Sequence, residues 1–253
     1  MDDNLDKDAI GRELAACIAV ARELRASRAT DPAAADYPVL KEWQSARLAR
    51  TYADLLASER YRPAAEFFLS DLYGPKDFRS RDEELARVVP VMVRVLPARA
   101  LLTLLQAVQM DMLSESLDTD MVLALRKAQR QGKIDWDAYA AAYRTCDRRQ
   151  DRERQIALVD TIGKTLDRLT RMPLIRVSLR LMYGPAHLAG LGGLHSFLQR
   201  GFDAFSFMNG ADEFLAIVTE RETALMREWL ARPGGDNKAS REGALRIQNR
   251  STE

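Results

Sequence analysis

Cysteine is nearly absent from these 253 residues, with only Cys17 and Cys146 present. Two are too few for a disulfide scaffold, although a single bridge between them stays open on sequence grounds. Histidine is as scarce, at positions 187 and 195 only. Gly184 and Gly192 stand three residues before them, so the chain lacks the Glu-x-x-His pairs of a ferritin-type di-metal bundle. No Cys-x-x-Cys-His occurs, which excludes covalently attached haem. Dinucleotide and Walker glycine spacings are missing as well. No apolar run approaches the roughly 18 residues of a membrane-crossing helix. The start, Met-Asp-Asp-Asn-Leu-Asp-Lys-Asp, is acidic and unlike a secretion signal. Finally, charge of one sign is not in excess. Thirty-eight basic residues face 37 acidic ones, so no global field recruits nucleic acid or an anionic membrane. The expectation is a cytoplasmic protein with no cofactor, no metal and no membrane association, for which nucleic acid is a disfavoured partner.

What is present is helix-forming. Ala, Leu, Arg and Glu dominate, and β-branched clusters are few. Ile10, Leu14, Cys17, Ile18, Ala21 and Leu24 recur at helical spacing over residues 8–28. A second helix carries Leu40, Trp43, Arg47, Leu48, Tyr52, Leu55 and Leu56, and is expected to end near Arg60. Ser80 with Glu83 fits a capping box, Pro90 predicts a bend, and Pro97 a restart. Asp118-Thr119 predicts the start of a separate helix, and Asp135 another start. Ile156 to Leu169, Leu194 to Met208 and Phe214 to Trp229 supply three further amphipathic stretches. The pattern predicts an all-α fold: one multi-helix bundle of about eight to ten helices over residues 1–232, with a disordered tail over 233–253.

Two stretches echo each other. Pro63 to Pro75 and Pro173 to Pro185 both run from a proline to Tyr-Gly-Pro at the same spacing. Proline suits a first helical turn, glycine suits a left-handed end, and the next proline blocks continuation, so each predicts a short helix with a hard stop. The echo suggests pseudo-repeats over 38–117 and 147–231. A pseudo-twofold pairing would then set Glu66 and Ser70 against Arg176 and Arg180.

Phe-Phe-Leu-Ser-Asp-Leu-Tyr-Gly-Pro-Lys-Asp-Phe (67–78), Ala-Gly-Leu-Gly-Gly-Leu-His-Ser-Phe-Leu-Gln-Arg-Gly-Phe (189–202) and Gly-Ala-Asp-Glu-Phe-Leu-Ala (210–216) carry a resemblance. They are similar to a bacterial family of hypothetical helical proteins with no assigned function, over roughly residues 40–230. The resemblance implies a bacterial, helical, cytoplasmic protein and brings no reaction or ligand with it.

Candidate functional residues gather at the corners. Asp71, Tyr73, Asp77 and Arg79 at the first, with Tyr183 and His187 at the second, form a candidate ligand or partner corner. A solvated, salt-bridged turn explains the same residues, and the tyrosines are expected to pack their rings beneath the corners. His187 and His195 would lie about 12 Å apart on an unbroken helix, too far to share a metal. The glycines between them leave that spacing open, and a haem-oxygenase-like site is disfavoured because no histidine precedes 187. Gly190-Leu-Gly-Gly suggests either an anion at a helix start or close helix packing. Cys17 falls on an apolar face, whereas Cys146 lies among arginines that would lower its pKa. The arginines from 144 to 180 alternate with acids and read as a solvated face. With no ordered acid–base set, the leading reading is a non-enzymatic interaction or scaffold protein acting through self-association or a protein partner. The other reading is a small-molecule binder or enzyme whose internal pocket is lined by Phe67, Phe68, Phe197, Phe202 and Phe205.

Overall fold

Asp6 opens the first helix by accepting from the Asp8 and Ala9 amides, and helices follow one another from there. The computed structural model describes residues 6–72, 79–130 and 132–231. It does not describe the side chains of a few helix residues, Asp71 and Arg79 among them. Twelve α-helices and no strand occur among the described residues: α1 (Lys7–Ala29), α2 (Asp36–Thr51), α3 (Ala53–Ala57), α4 (Arg62–Phe67), α5 (Arg79–Val95), α6 (Ala98–Lys127), α7 (Trp136–Cys146), α8 (Arg149–Thr170), α9 (Pro173–Leu181), α10 (Tyr183–Leu188), α11 (Gly192–Met208) and α12 (Asp212–Ala231). A π turn, Phe68–Leu72, continues α4. The fold is all-α. The 233–253 tail and the first Tyr-Gly-Pro corner lie outside the described residues.

The spine is α6, thirty residues long, which packs on α1, α2, α5, α7 and α8. Asp118 and Thr119 were expected to begin a helix, but they sit in its middle. Their side chains are used in tertiary bonds instead. Asp118 accepts from Gln44 at 2.9 Å, and Thr119 accepts from Arg28 at 2.8 Å. Arg47 and Glu222 likewise join α2 to α12. Pro90 stands inside α5 without ending it, and the Ser80 side chain of the expected capping box lies outside what is described. Pro97 is the N-cap of α6, and Asp135 caps α7 by accepting from the Ala138 amide at 2.8 Å.

Three apolar clusters fill the interior. Ile10, Leu14 and Ile18 of α1 meet Leu85, Val89, Leu101, Leu105 and Leu194. Tyr37, Met121, Leu125, Tyr139, Tyr143 and Trp229 form the second, with Trp43 stacked on Tyr139 at 4.1 Å between ring centroids. Leu48, Tyr52, Tyr61, Phe205, Phe214 and Leu215 form the third. Two packing expectations need correction. Leu24 is exposed, and Cys17 is only half-buried on the side of its cluster. Both cysteines are free thiols. Between α4 and α11 the backbones approach closely: a Cβ on Gly201 would stand 2.8 Å from the Phe67 ring.

Candidate functional site

The second Tyr-Gly-Pro corner is not a hard stop. The break falls one residue earlier, at Met182, and Tyr183, Gly184 and Pro185 form the first turn of α10. A proline is at home there because first-turn amides have no helical acceptor. The left-handed glycine comes later, at Gly190, with φ of +68°. There the chain reverses from α10 into α11, and Arg87 donates to the Gly190 carbonyl at 2.9 Å. The reversal brings the His187 and His195 rings to 6.0 Å between centroids, half the distance an unbroken helix would impose. His187 Nδ1 bonds the Tyr183 carbonyl at 2.8 Å, and His195 Nε2 bonds that of Leu179 at 2.7 Å. No group of three or more His, Cys, Asp or Glu that could hold a metal ion occurs among the described residues. Tyr183 was expected to pack inward, yet it is 60% exposed and lies over His187. The start of α11 does bind an anion, and it is the chain's own: Glu84 accepts from the Leu194 amide at 2.7 Å.

Of the first corner, Tyr73 and Asp77 lie outside the described residues, and the side chains of Asp71 and Arg79 are not described. Among the described residues no hydrogen bond or ion pair joins Glu66 to Arg176 or Arg180. Glu66 is exposed, while Arg176 donates to Ser206 at 2.6 Å and lies over the Phe202 ring.

What the corner does carry is an uncovered apolar face. No residue of α9 is buried, although this helix is sharply two-faced. Leu174, Val177 and Leu181, at i, i+3 and i+7, share one face, and Leu174 and Leu181 are 69% and 72% exposed. Met172, Met182 and Leu188 extend the exposed surface at either end. From Arg168 to Phe202 the chain has five arginines and no aspartate, glutamate or lysine. Arg168, Arg176 and Arg180 meet no carboxylate among the described residues.

A second feature lies inside. A cavity of about 120 Å³ is lined by residues of α2, α3, α4, α6, α7, α8, α12 and the π turn. Its polar wall holds Gln44, Arg47, Asp118, Arg152, Gln155 and Glu222. Arg47 donates to Glu222 at 2.5 Å, and Tyr52 donates to the same oxygen at 2.7 Å. Burial opposes the Arg47 charge, but Glu222 holds its pKa above the ordinary range. The expected phenylalanine pocket is therefore corrected. Phe68 lines this cavity together with Phe214, whereas Phe67, Phe202 and Phe205 are core residues, and Phe197 packs on Phe67. Neither Tyr183 nor His187 lines it. Nor is the arginine-rich region wholly solvated, because Arg152 and Asp167 are buried. Arg152 falls on the buried stripe four residues before Ile156, a spacing visible in the sequence. Cys146 is not activated: burial pushes its thiol up to about 11 despite Arg152 and Arg148, and its Sγ lies 3.8 Å from Met121 Sδ.

No helix among the described residues is long and apolar enough to cross a membrane. A family model described as Domain of unknown function (DUF8198) matches residues 23–233, and the chain belongs to that family. No curated protein and no solved structure matches it.

Proposed function

We propose that this member of the DUF8198 family is a helical interaction protein whose α9–α10 face docks an acidic, amphipathic partner helix. The observation that carries the reading is a two-faced helix with no buried residue, whose leucine stripe faces outward. Interface cores are enriched in Met, Tyr and Arg and depleted in Lys, Asp and Glu. The stretch from Arg168 to Phe202 has that composition. Its arginines favour carboxylates, which a guanidinium can engage in paired hydrogen bonds. Self-association through this face alone would set one arginine row against another. Residues 232–253 are a poor match too, with five basic residues against three acidic. Two free thiols suit a cytoplasmic setting, which belongs to the same proposal.

The test is fluorescence anisotropy with two synthetic helical peptides that share a leucine face, one flanked by glutamates and the other by lysines. The acidic peptide is expected to bind, more weakly as salt rises, and at least tenfold more weakly to Leu174→Ser/Leu181→Ser. Equal binding of both peptides, or binding only to anionic vesicles, would defeat the proposal. So would a dimer in solution that the double substitution dissolves.

A further inference from the structure

The interior cavity poses a separate problem of charge. Arg152 is only 8% exposed, lines the cavity, and makes no ion pair among the described residues. Its guanidinium lies 4.6 Å from the centre of the Tyr143 ring, and its Nη2 meets no protein acceptor. Burial pushes the Tyr143 hydroxyl above its ordinary range, so that ring brings no charge to offset the arginine. The other charges on the wall are engaged elsewhere. Glu222 takes Arg47 and Tyr52, while Asp118 accepts from Gln44 and sits in the field of Arg28 and Lys41. Arg47 Nε, on the same wall, also lacks a protein acceptor. A buried cation with no carboxylate in direct contact is a costly arrangement in a protein interior. An anion inside the cavity would remove that cost.

Volume and lining narrow the anion's chemistry. At about 120 Å³ the space is slightly smaller than the ~150 Å³ cavity known to admit benzene, a volume that suits an occupant of about six heavy atoms. Away from the polar wall the lining is aliphatic and aromatic, through Leu48, Ile156, Val159, Phe214 and Val218. An inorganic oxyanion would leave that part unfilled. We infer that the cavity binds a short-chain carboxylate, its carboxylate on the Arg152 guanidinium and its hydrocarbon tail against Ile156, Val159 and Phe214. The pairing is charge-assisted and fork-shaped, which a neutral amide of the same size cannot reproduce.

The experiment follows the Ile156 and Val159 methyl resonances of the full chain during titration with butyrate, with butyramide, and with octanoate, at constant ionic strength. Butyrate is expected to shift them saturably, while butyramide and octanoate leave them in place. Arg152→Met is expected to weaken butyrate at least tenfold and to melt no lower than the unliganded wild type. Unmoved methyls in wild type would assign the cavity to water and overturn the inference. Equal responses to butyrate and butyramide, or undiminished affinity in Arg152→Met, would overturn it as well. The first two readouts need no substitution, so they stand even if the variant does not fold. None of them depends on the α9–α10 face.

Discussion

Helices α6 and α9 are opposites. The first has apolar residues all round and runs through the interior, with Leu101, Leu117, Met121 and Val122 fully buried. The second divides sharply into apolar and polar sides, yet has no fully buried residue. Amphipathic pattern tells which side of a helix wants to leave water, but not whether the same chain supplies the cover. For α6 five helices do so, α1, α2, α5, α7 and α8. For α9 the side of Leu174 and Leu181 is left to something else.

The contrast breaks if the two helices respond alike to truncation. Leu117→Ala in α6 should cost ~2–5 kcal/mol in a denaturant titration, since the side chain is fully enclosed and the vacated space can close only in part. Cys146 sharpens the comparison from the α7 side. Its folded pKa of about 11 against an ordinary 9.0 leaves about a hundredfold less thiolate near pH 8, so alkylation should be slower than in the unfolded chain by about that factor. The sign for stability follows from proton binding. Between pH 9 and 11 the unfolded thiol ionises while the folded one keeps its proton, so stability should fall with rising pH across that window. Gly201→Ala should cost ~1–3 kcal/mol, because the added methyl meets the Phe67 ring. Glu84→Gln should cost about 1 kcal/mol by weakening the cap on the Leu194 amide, as read from a thermal melt. The smallest change in stability is expected in α9 itself. Leu174→Ser/Leu181→Ser should shift the unfolding free energy by no more than about 0.5 kcal/mol, despite removing two leucines. A loss of several kcal/mol there would show that the face is already covered.

Local chemistry was readable in sequence wherever it decided the structure. Asp135 caps α7 because its side chain reaches an amide three residues on, and Pro173 opens α9 because a first turn tolerates it. Asp118 and Thr119 misled because they are cap-type residues whose partners, Gln44 and Arg28, stand some seventy to ninety positions away. Tyr183-Gly184-Pro185 misled for a related reason. The motif is as compatible with opening a helix as with closing one, and here the break falls at Met182, before it. The α9 stripe was visible in sequence, but its exposure was not, since exposure depends on what α8, α10 and α11 leave uncovered. Arg152 shows the same limit. Its place on the stripe could be counted from Ile156, whereas its lack of an ion-pair partner among the described residues emerges only when α2, α6, α7 and α12 close around it.

Helix α6 has one more consequence. At ~1.5 Å per residue its thirty residues extend for about 45 Å, and opposite ends enter different apolar clusters, Leu101 and Leu105 in one and Met121 to Leu125 in the other. Neither cluster can loosen without disturbing a rod they share. Backbone amides around Leu117 to Leu125 should therefore be the slowest in the molecule to trade hydrogen for deuterium, and those of α9 among the fastest.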